Sequence, residues 1–295
     1  HRDLHSFPTR RSSDLEIPEI VEYQLEPSLY SDSMFRAFSV YAEEQDLKAY
    51  PVHIKFNTGM NRLGMALSQA EPLGIALNAN KHLKPESVFT HFAASDDPTE
   101  REFTLKQIQK FKKASNELAE GLGYMPMRHV CNTMGVMNYP EAHFDAVRIG
   151  IGLYGYTYDE EINRSLKVVG KLLAPIIEKQ YLNPGDSIGY SRRFIAEEAM
   201  VIAIVPLGHA DGIYRAYGHR KGWLYLNERK APILGNVCMD MIMIDVTEIA
   251  CDEGDLAEVF GDNNSAIELA NAIGTISYEL ITGVSDRVPR MVLQN

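Results

Sequence analysis

Apolar and polar positions fall into two textures along the chain. From about Glu16 to Tyr158, short apolar runs alternate with amphipathic stretches. The runs Val52 to Phe56, Ser87 to Phe92, Met127 to Cys131 and Asp145 to Ile149 predict strands, with a weaker one at Ile20 to Tyr23. Helices are predicted over Met34 to Asp46 and Glu100 to Glu120, where Phe103, Ile108, Phe111 and Leu118 approximate one apolar face. Such alternation builds a parallel sheet or a β/α barrel. Four or five strands are too few to close an eight-stranded barrel, which takes about 250 residues. If the unit is a barrel, its first strands are missing.

Beyond about Leu166 short strands follow one another with turns between them. They are predicted at Val168 to Glu178, Asp186 to Tyr190, Met200 to Leu207, Gly222 to Leu226, Lys230 to Gly235 and Met241 to Val246. Asn183-Pro184-Gly185-Asp186 and Asp252-Glu253-Gly254-Asp255 have turn composition, and a helix is predicted over Ala266 to Ile273. The fold class expected is therefore α/β plus β. An incomplete TIM-type β/α barrel over residues 16–165 precedes a mainly β domain over 166–295. Residues 1–15, from His1 to Leu15, carry no apolar core and no amphipathic period, so they are set apart as a non-native or disordered leader.

Composition narrows the function classes. At 295 residues and 45% hydrophobic content the chain can bury a large core. Its formal charge of −11 has no basic face, which argues against nucleic acid and an anionic membrane, and no apolar run reaches the length of a membrane span. Cys131, Cys238 and Cys251 are far apart and odd in number, so neither a disulfide framework nor a cysteine metal site is expected, and the compartment reads as reducing cytoplasm.

One stretch, Val147-Arg148-Ile149-Gly150-Ile151-Gly152-Leu153-Tyr154-Gly155, joins an apolar strand to a glycine-rich turn where backbone N–H groups can close on a phosphate. It spells G-x-G-x-x-G, yet no helix follows, the stretch from Tyr156 to Arg164 being short, polar and soon interrupted, so a dinucleotide site is not indicated. Arg148 is the unusual residue, because a buried arginine requires an anion or acceptor; a structural salt bridge is the competing reading. Other strand ends also carry donors: Lys55 and Arg62, then His91, then Asn132 and Thr133. Each has a plain structural explanation, such as a snorkelling lysine, a satisfied core histidine or a helix cap. Together, with almost no carboxylates among them, they suggest an anionic ligand. In the β domain, Tyr190 follows Gly189 and precedes Arg192 and Arg193, where positive charge would favour tyrosinate; a core or interface tyrosine is the alternative.

These stretches together resemble the alanine racemases, enzymes of the pyridoxal 5′-phosphate fold-type III class, from about Ile17 to Leu293. Thr58 to Gly64 resembles T-G-M-x-R-L-G, Thr90 to Ala93 resembles T-H-F-A, and the likeness extends through Arg148 to Met239-Asp240. The resemblance implies that Arg62 holds the cofactor's phenolic oxygen and the substrate carboxylate, and that Lys55 is an N-carboxylated lysine steadying Arg62. It places Thr133, Gly150 and Ile151 at the phosphate and Arg148 at the pyridine nitrogen. It puts His91 in a hydrogen-bond chain between an arginine and a tyrosine. Tyr190 would be a catalytic acid/base, and Met239 and Asp240 would close on the partner subunit's site in a head-to-tail homodimer. The implied activity is interconversion of L- and D-alanine for peptidoglycan precursors, with a small amino acid as substrate and no metal.

Departures accompany the likeness. The family's Schiff-base lysine sits in a motif like V-x-K-A-x-A-Y-G-x-G, absent from this chain; Lys48, the only lysine before Lys55, does not fit. The expectation is a fragment lacking that lysine and roughly three barrel units, inactive and poorly stable alone, whose parent is either a free racemase or the racemase half of a ligase fusion. His209, Asn57 and Asp286 also stand where relatives often have tyrosine, aspartate and tyrosine. The alternatives are a racemase of broader, serine or lysine specificity, a non-catalytic cofactor-binding protein, and a structural remnant.

Overall fold

The computed structural model describes residues 17–293, so the leader lies outside the described residues. Two compact units divide the chain, one ending at Gly150 and one beginning at Ile151. The first contains α1 (Ile17–Glu22), β1 (Ser28–Leu29), α2 (Asp32–Glu44), β2 (Tyr50–Lys55), α3 (Ala70–Ala79), β3 (Leu83–Phe89), α4 (Arg101–Leu122), β4 (Met127–His129) and α5 (Thr133–Asn138). Its four strands pair in parallel in the order β1-β2-β3-β4.

Side-chain alternation gives this sheet two chemically different faces. Val52, Ile54 and Val88 point into the core with Phe38, Phe111 and Leu118 from α2 and α4. Register places His53 beside Ser87, Lys55 beside Phe89, and Phe89 beside His129, all on the opposite and more polar face. The helices close tightly over the apolar face. A Cβ on Gly74 of α3 would lie 2.3 Å from the Leu118 carbonyl oxygen, and one on Gly121 would lie 2.6 Å from that of Glu71. Only bare backbone fits at that crossing.

Two predicted strands of this unit differ. Ile20 to Tyr23 lies in or just beyond α1, because Ile17 and Ile20 form a buried pair at helical spacing. Asp145 to Ile149 forms no strand: Asp145 stands in a turn, the N–H groups of Asp145 and Ala146 share the Arg128 carbonyl at 3.0 and 3.3 Å, Ala146 bridges to His129, and Arg148 N–H bonds the Cys131 carbonyl at 3.0 Å, too irregular for a ladder.

The second unit holds α6 (Glu160–Asn163), β5 (Leu172–Pro175), β6 (Glu178–Leu182), β7 (Ser187–Ile188), β8 (Phe194–Ile195), β9 (Met200–Val205), β10 (Trp223–Leu226), β11 (Arg229–Leu234), β12 (Ile242–Asp245), β13 (Leu256–Phe260), α7 (Ala266–Ala272) and α8 (Ser277–Thr282). Seven strands form an antiparallel sheet, β5-β13-β10-β11-β12-β9-β6, and β7 pairs with β8. The single strand predicted over Val168 to Glu178 breaks after Pro175, and β5 and β6 take opposite edges of the sheet. β13 was not expected, because Glu258 interrupts its apolar pattern. That carboxylate is buried and satisfied by the backbone N–H groups of Asn263 and Asn264 at 2.7 and 2.8 Å. Among the described residues, no helix is long and apolar enough to cross a membrane.

Candidate functional site

The C-terminal ends of β2, β3 and β4 bring four of the predicted residues together. Arg148 lies across them, partly buried, and its donors go to backbone carbonyls and imidazoles. Its Nη2 donates to the carbonyl oxygens of Thr90 (2.7 Å) and Val130 (3.2 Å), and its Nη1 to that of His129 (3.2 Å). Nη1 also meets His129 Nδ1, and Nη2 lies 3.2 Å from His91 Nδ1. The guanidinium sits over the Phe89 ring at 5.2 Å, which Lys55 Nζ approaches to 5.7 Å and against which His129 stacks. Among the described residues, no carboxylate lies within ion-pair distance of Arg148, Lys55 or Arg62. The salt-bridge reading of Arg148 therefore gives way to an arginine held by dipoles.

Electrostatics records this crowding of positive groups. Burial pulls the Arg148 guanidinium down to about 10. Burial, with repulsion from Arg148, Arg62 and Lys55 behind it, lowers His91 to about 4; burial and Arg148 lower His129 to about 3. Both imidazoles are thus neutral at pH 7. Lys55 falls below its ordinary value, chiefly through burial and then through Arg62 and Arg148. A site of this sign, with its charges desolvated and uncompensated, is built for an anion.

The loops are shaped by residues that sequence reasoning did not single out. Gln107 of α4, fully buried, donates to Thr58 Oγ1 (3.1 Å) and to the His91 carbonyl (3.2 Å), while its Oε1 accepts from Ala93 N (3.0 Å). One amide thereby pins the two loops that carry Arg62 and His91. A buried glutamine at a helical core position was the available signal. Asn57 Oδ1 accepts from the N–H groups of Gly59 and Asn61 and turns the chain toward the exposed Arg62. The loop returns at Gly64, where φ is +139° and a Cβ would lie 2.5 Å from Asn57 N.

At the glycine-rich turn, Gly150 N–H donates to the buried Thr133 Oγ1 at 3.1 Å. Asn132 is the cap of α5, its Oδ1 accepting from Gly135 N at 2.8 Å, which bears out the structural reading of that residue. Ile151 opens the second unit in a 3-10 turn over Ile151–Tyr154 and is buried in that unit's core. A helix does follow, against the sequence expectation, but α6 has only four residues and begins nine positions after Ile151.

The second unit carries the remaining candidates. Tyr190, Met239 and Asp240 line one recess of about 540 Å³ with Gly189, Cys238 and Met243. Tyr190 and Met239 are 74% and 72% exposed. The Tyr190 backbone is held where its carbonyl accepts from Asn236 Nδ2 at 3.2 Å, and Ser191 and Arg192 adopt left-handed φ values of 60° and 49°. Arg192 turns away to donate to Ser187 Oγ at 3.1 Å. The loop at Met239 is bonded to the His209 turn: His209 N and Ala210 N donate to the carbonyls of Cys238 (3.0 Å) and Met239 (2.9 Å). Asp286 is fully exposed beside Arg290. No cluster of three or more metal-ligating side chains occurs among the described residues.

Comparison with known proteins accords with this layout. Residues 9–158 match the profile of the alanine racemase N-terminal domain, and residues 169–292 that of the alanine racemase C-terminal domain. An alanine racemase of Treponema denticola is 34% identical over 94% of this chain and 76% of its own, and alanine racemase 1 of Clostridium acetobutylicum is 32% identical over 95% and 74%. Among solved structures, the alanine racemase of Clostridium difficile 630 superposes with a TM-score of 0.86 at 28% identity, covering 94% of this chain and 73% of that one. That of Bartonella henselae, described with covalently bound pyridoxal phosphate, gives 0.81 at 25% identity over 94% and 75%.

Proposed function

Since the chain belongs to the alanine racemase family, we propose that it serves the interconversion of L- and D-alanine with pyridoxal phosphate, supplying D-alanine for peptidoglycan precursors. The observation that carries this reading is the carboxylate-free cluster of Lys55, Arg62, His91 and Arg148. The donor set fits a phosphorylated pyridine. Arg148, partly buried and with no counter-charge among the described residues, suits a ring nitrogen that stays unprotonated, where a carboxylate would invite a proton. Thr133 Oγ1 and the Gly150 and Ile151 backbone suit the phosphate, and exposed Arg62 suits the phenolic oxygen and the substrate carboxylate.

When bound, pyridoxal phosphate would delocalise the negative charge left at Cα as the α-proton departs. Arg148, a donor that does not readily give up its proton, would limit that delocalisation and so disfavour transamination. Tyr190 would take or give the α-proton on one face. His91 presents Nδ1 to Arg148 and leaves its Nε2–H, which has no partner among the described residues, to orient a phenolic oxygen. Lys55, with its ammonium form disfavoured, is suited to capture carbon dioxide as a carbamate that would turn a repulsion with Arg62 into an ion pair. The exposure of Tyr190 and Met239 supports a homodimer in which each copy completes the other's site.

Inversion needs a second acid/base on the opposite face, the role of the family's Schiff-base lysine. Lys48 is exposed and paired with Asp46, so it does not serve. We therefore expect the 295-residue chain to bind pyridoxal phosphate without racemising alanine, and an added alkylamine to restore slow conversion that Tyr190→Phe abolishes. L-to-D conversion followed by chiral chromatography, beside cofactor absorbance, tests this. Conversion without amine would overturn the lysine reading, and no cofactor binding would overturn the site. Alkylamine-dependent turnover of serine or lysine but not alanine would favour the related racemase of other specificity.

A further inference from the structure

The polar face of the first unit's sheet carries an unbroken line of hydrogen bonds that the proposed chemistry does not use. It begins at Glu26, half in solvent, whose Oε2 lies 2.9 Å from His53 Nε2. His53 Nδ1 lies 2.6 Å from the buried Ser87 Oγ, and Ser87 Oγ lies 2.9 Å from His129 Nε2. His129 Nδ1 meets Arg148 Nη1. Parallel register makes the line possible, because His53 pairs with Ser87 and Phe89 with His129 on adjacent strands, all on one face.

Chemistry gives this line one direction. A guanidinium has donors only, so His129 Nδ1 must accept. A neutral imidazole carries one N–H, so His129 Nε2 is the donor and Ser87 Oγ accepts. The single Ser87 hydroxyl hydrogen then goes to His53 Nδ1, which leaves His53 Nε2–H to donate to the Glu26 carboxylate. Every hydrogen is used once and every step runs from arginine to carboxylate. Were His129 protonated at Nδ1 instead, two donors would face each other and the guanidinium would have to swing off the strand ends.

We propose that Glu26, His53 and Ser87 form with His129 a hydrogen-bond chain of single polarity that fixes His129 as a neutral acceptor, making Ser87 and His53 positioning residues for Arg148. The role of Arg148 toward a cofactor rests on the function proposed above, but the chain itself is a property of these side chains and is testable without cofactor.

The test is nitrogen-15 NMR of the histidine rings in the full chain at pH 7, with resonances assigned by single His→Gln replacements. Expected are one tautomer for His129 and one for His53, each with Nε2 protonated and Nδ1 bare. Ser87→Thr, which keeps the hydroxyl, retains both patterns. Ser87→Ala removes the acceptor of His129 Nε2–H, so His129 loses its single tautomer, while His53 keeps its Nε2 proton against the Glu26 carboxylate. A protonated Nδ1 on His129 in the unaltered chain overturns the proposal, as does a His129 tautomer that ignores Ser87→Ala; the first needs no variant to fold. The predicted tautomers without pyridoxal phosphate binding would sink the functional reading and leave the chain standing. Binding with the wrong tautomers would do the reverse.

Discussion

Two arginines brace the two units in opposite ways. Arg287, half exposed, donates through Nε and Nη2 to the carboxylate of Asp211 at 2.7 and 3.3 Å. Asp211 is buried and accepts also from Gly208 N at 2.8 Å, so the pair fastens the C-terminal segment to the turn that holds the Met239 loop. Arg148 is partly buried, yet among the described residues it meets carbonyls, imidazoles and the Phe89 ring rather than a carboxylate. An arginine whose charge is already neutralised holds a fold together. One whose charge is left over, at the end of a parallel sheet, holds something else.

Removing each arginine should separate the two roles. Arg287→Ala strands a buried carboxylate, which costs about 2–3 kcal/mol, below the ~3–5 kcal/mol of a fully buried pair because half of Arg287 is already in water. Urea unfolding of the variant measures this, and Asp211→Asn with Arg287→Ala should recover most of it. Arg148→Met removes a desolvated charge along with its hydrogen bonds, two opposing effects, so its stability should change by no more than about 1 kcal/mol. Binding of pyridoxal phosphate should nevertheless fail. A loss of stability at Arg148→Met as large as at Arg287→Ala would erase the distinction.

The smallest expected effect is in the histidines. Unfolded, His91 and His129 take up protons near pH 6.5, but the folded unit refuses them until about 4 and 3. The unfolded state therefore binds more protons across that window, and the stability these rings contribute is present above pH 6.5 and lost as pH falls toward 3. Arg148→Met should raise both values part of the way, since burial, the larger cause, remains. Proton NMR titration of the ring hydrogens checks this. Unmoved titrations would mean that Arg148 does not set the local field.

The division between legible and hidden follows the range of the interactions. Local pattern alone determined the alternating and all-β textures, the amphipathic α2 and α4, the turns at Asn183 and Asp252, and the strand ends where Lys55, His91 and Thr133 stand, because periodicity and turn chemistry are written over a few residues. Motif likeness carried the family, and with it the expected site. The stretch Ile20 to Tyr23 reads as a strand although α1 occupies it as far as Glu22, because a short apolar run has no period to distinguish strand from helix. β13 escaped because a buried glutamate is intelligible only with the Asn263 and Asn264 donors beside it. Whether Arg148 met a carboxylate, that Gln107 ties two loops, and that Glu26, His53, Ser87 and His129 lie in one line could be decided only by the tertiary structure. Strand register brings together residues separated by 34 and 42 positions, and no local pattern encodes which neighbours a buried donor will find.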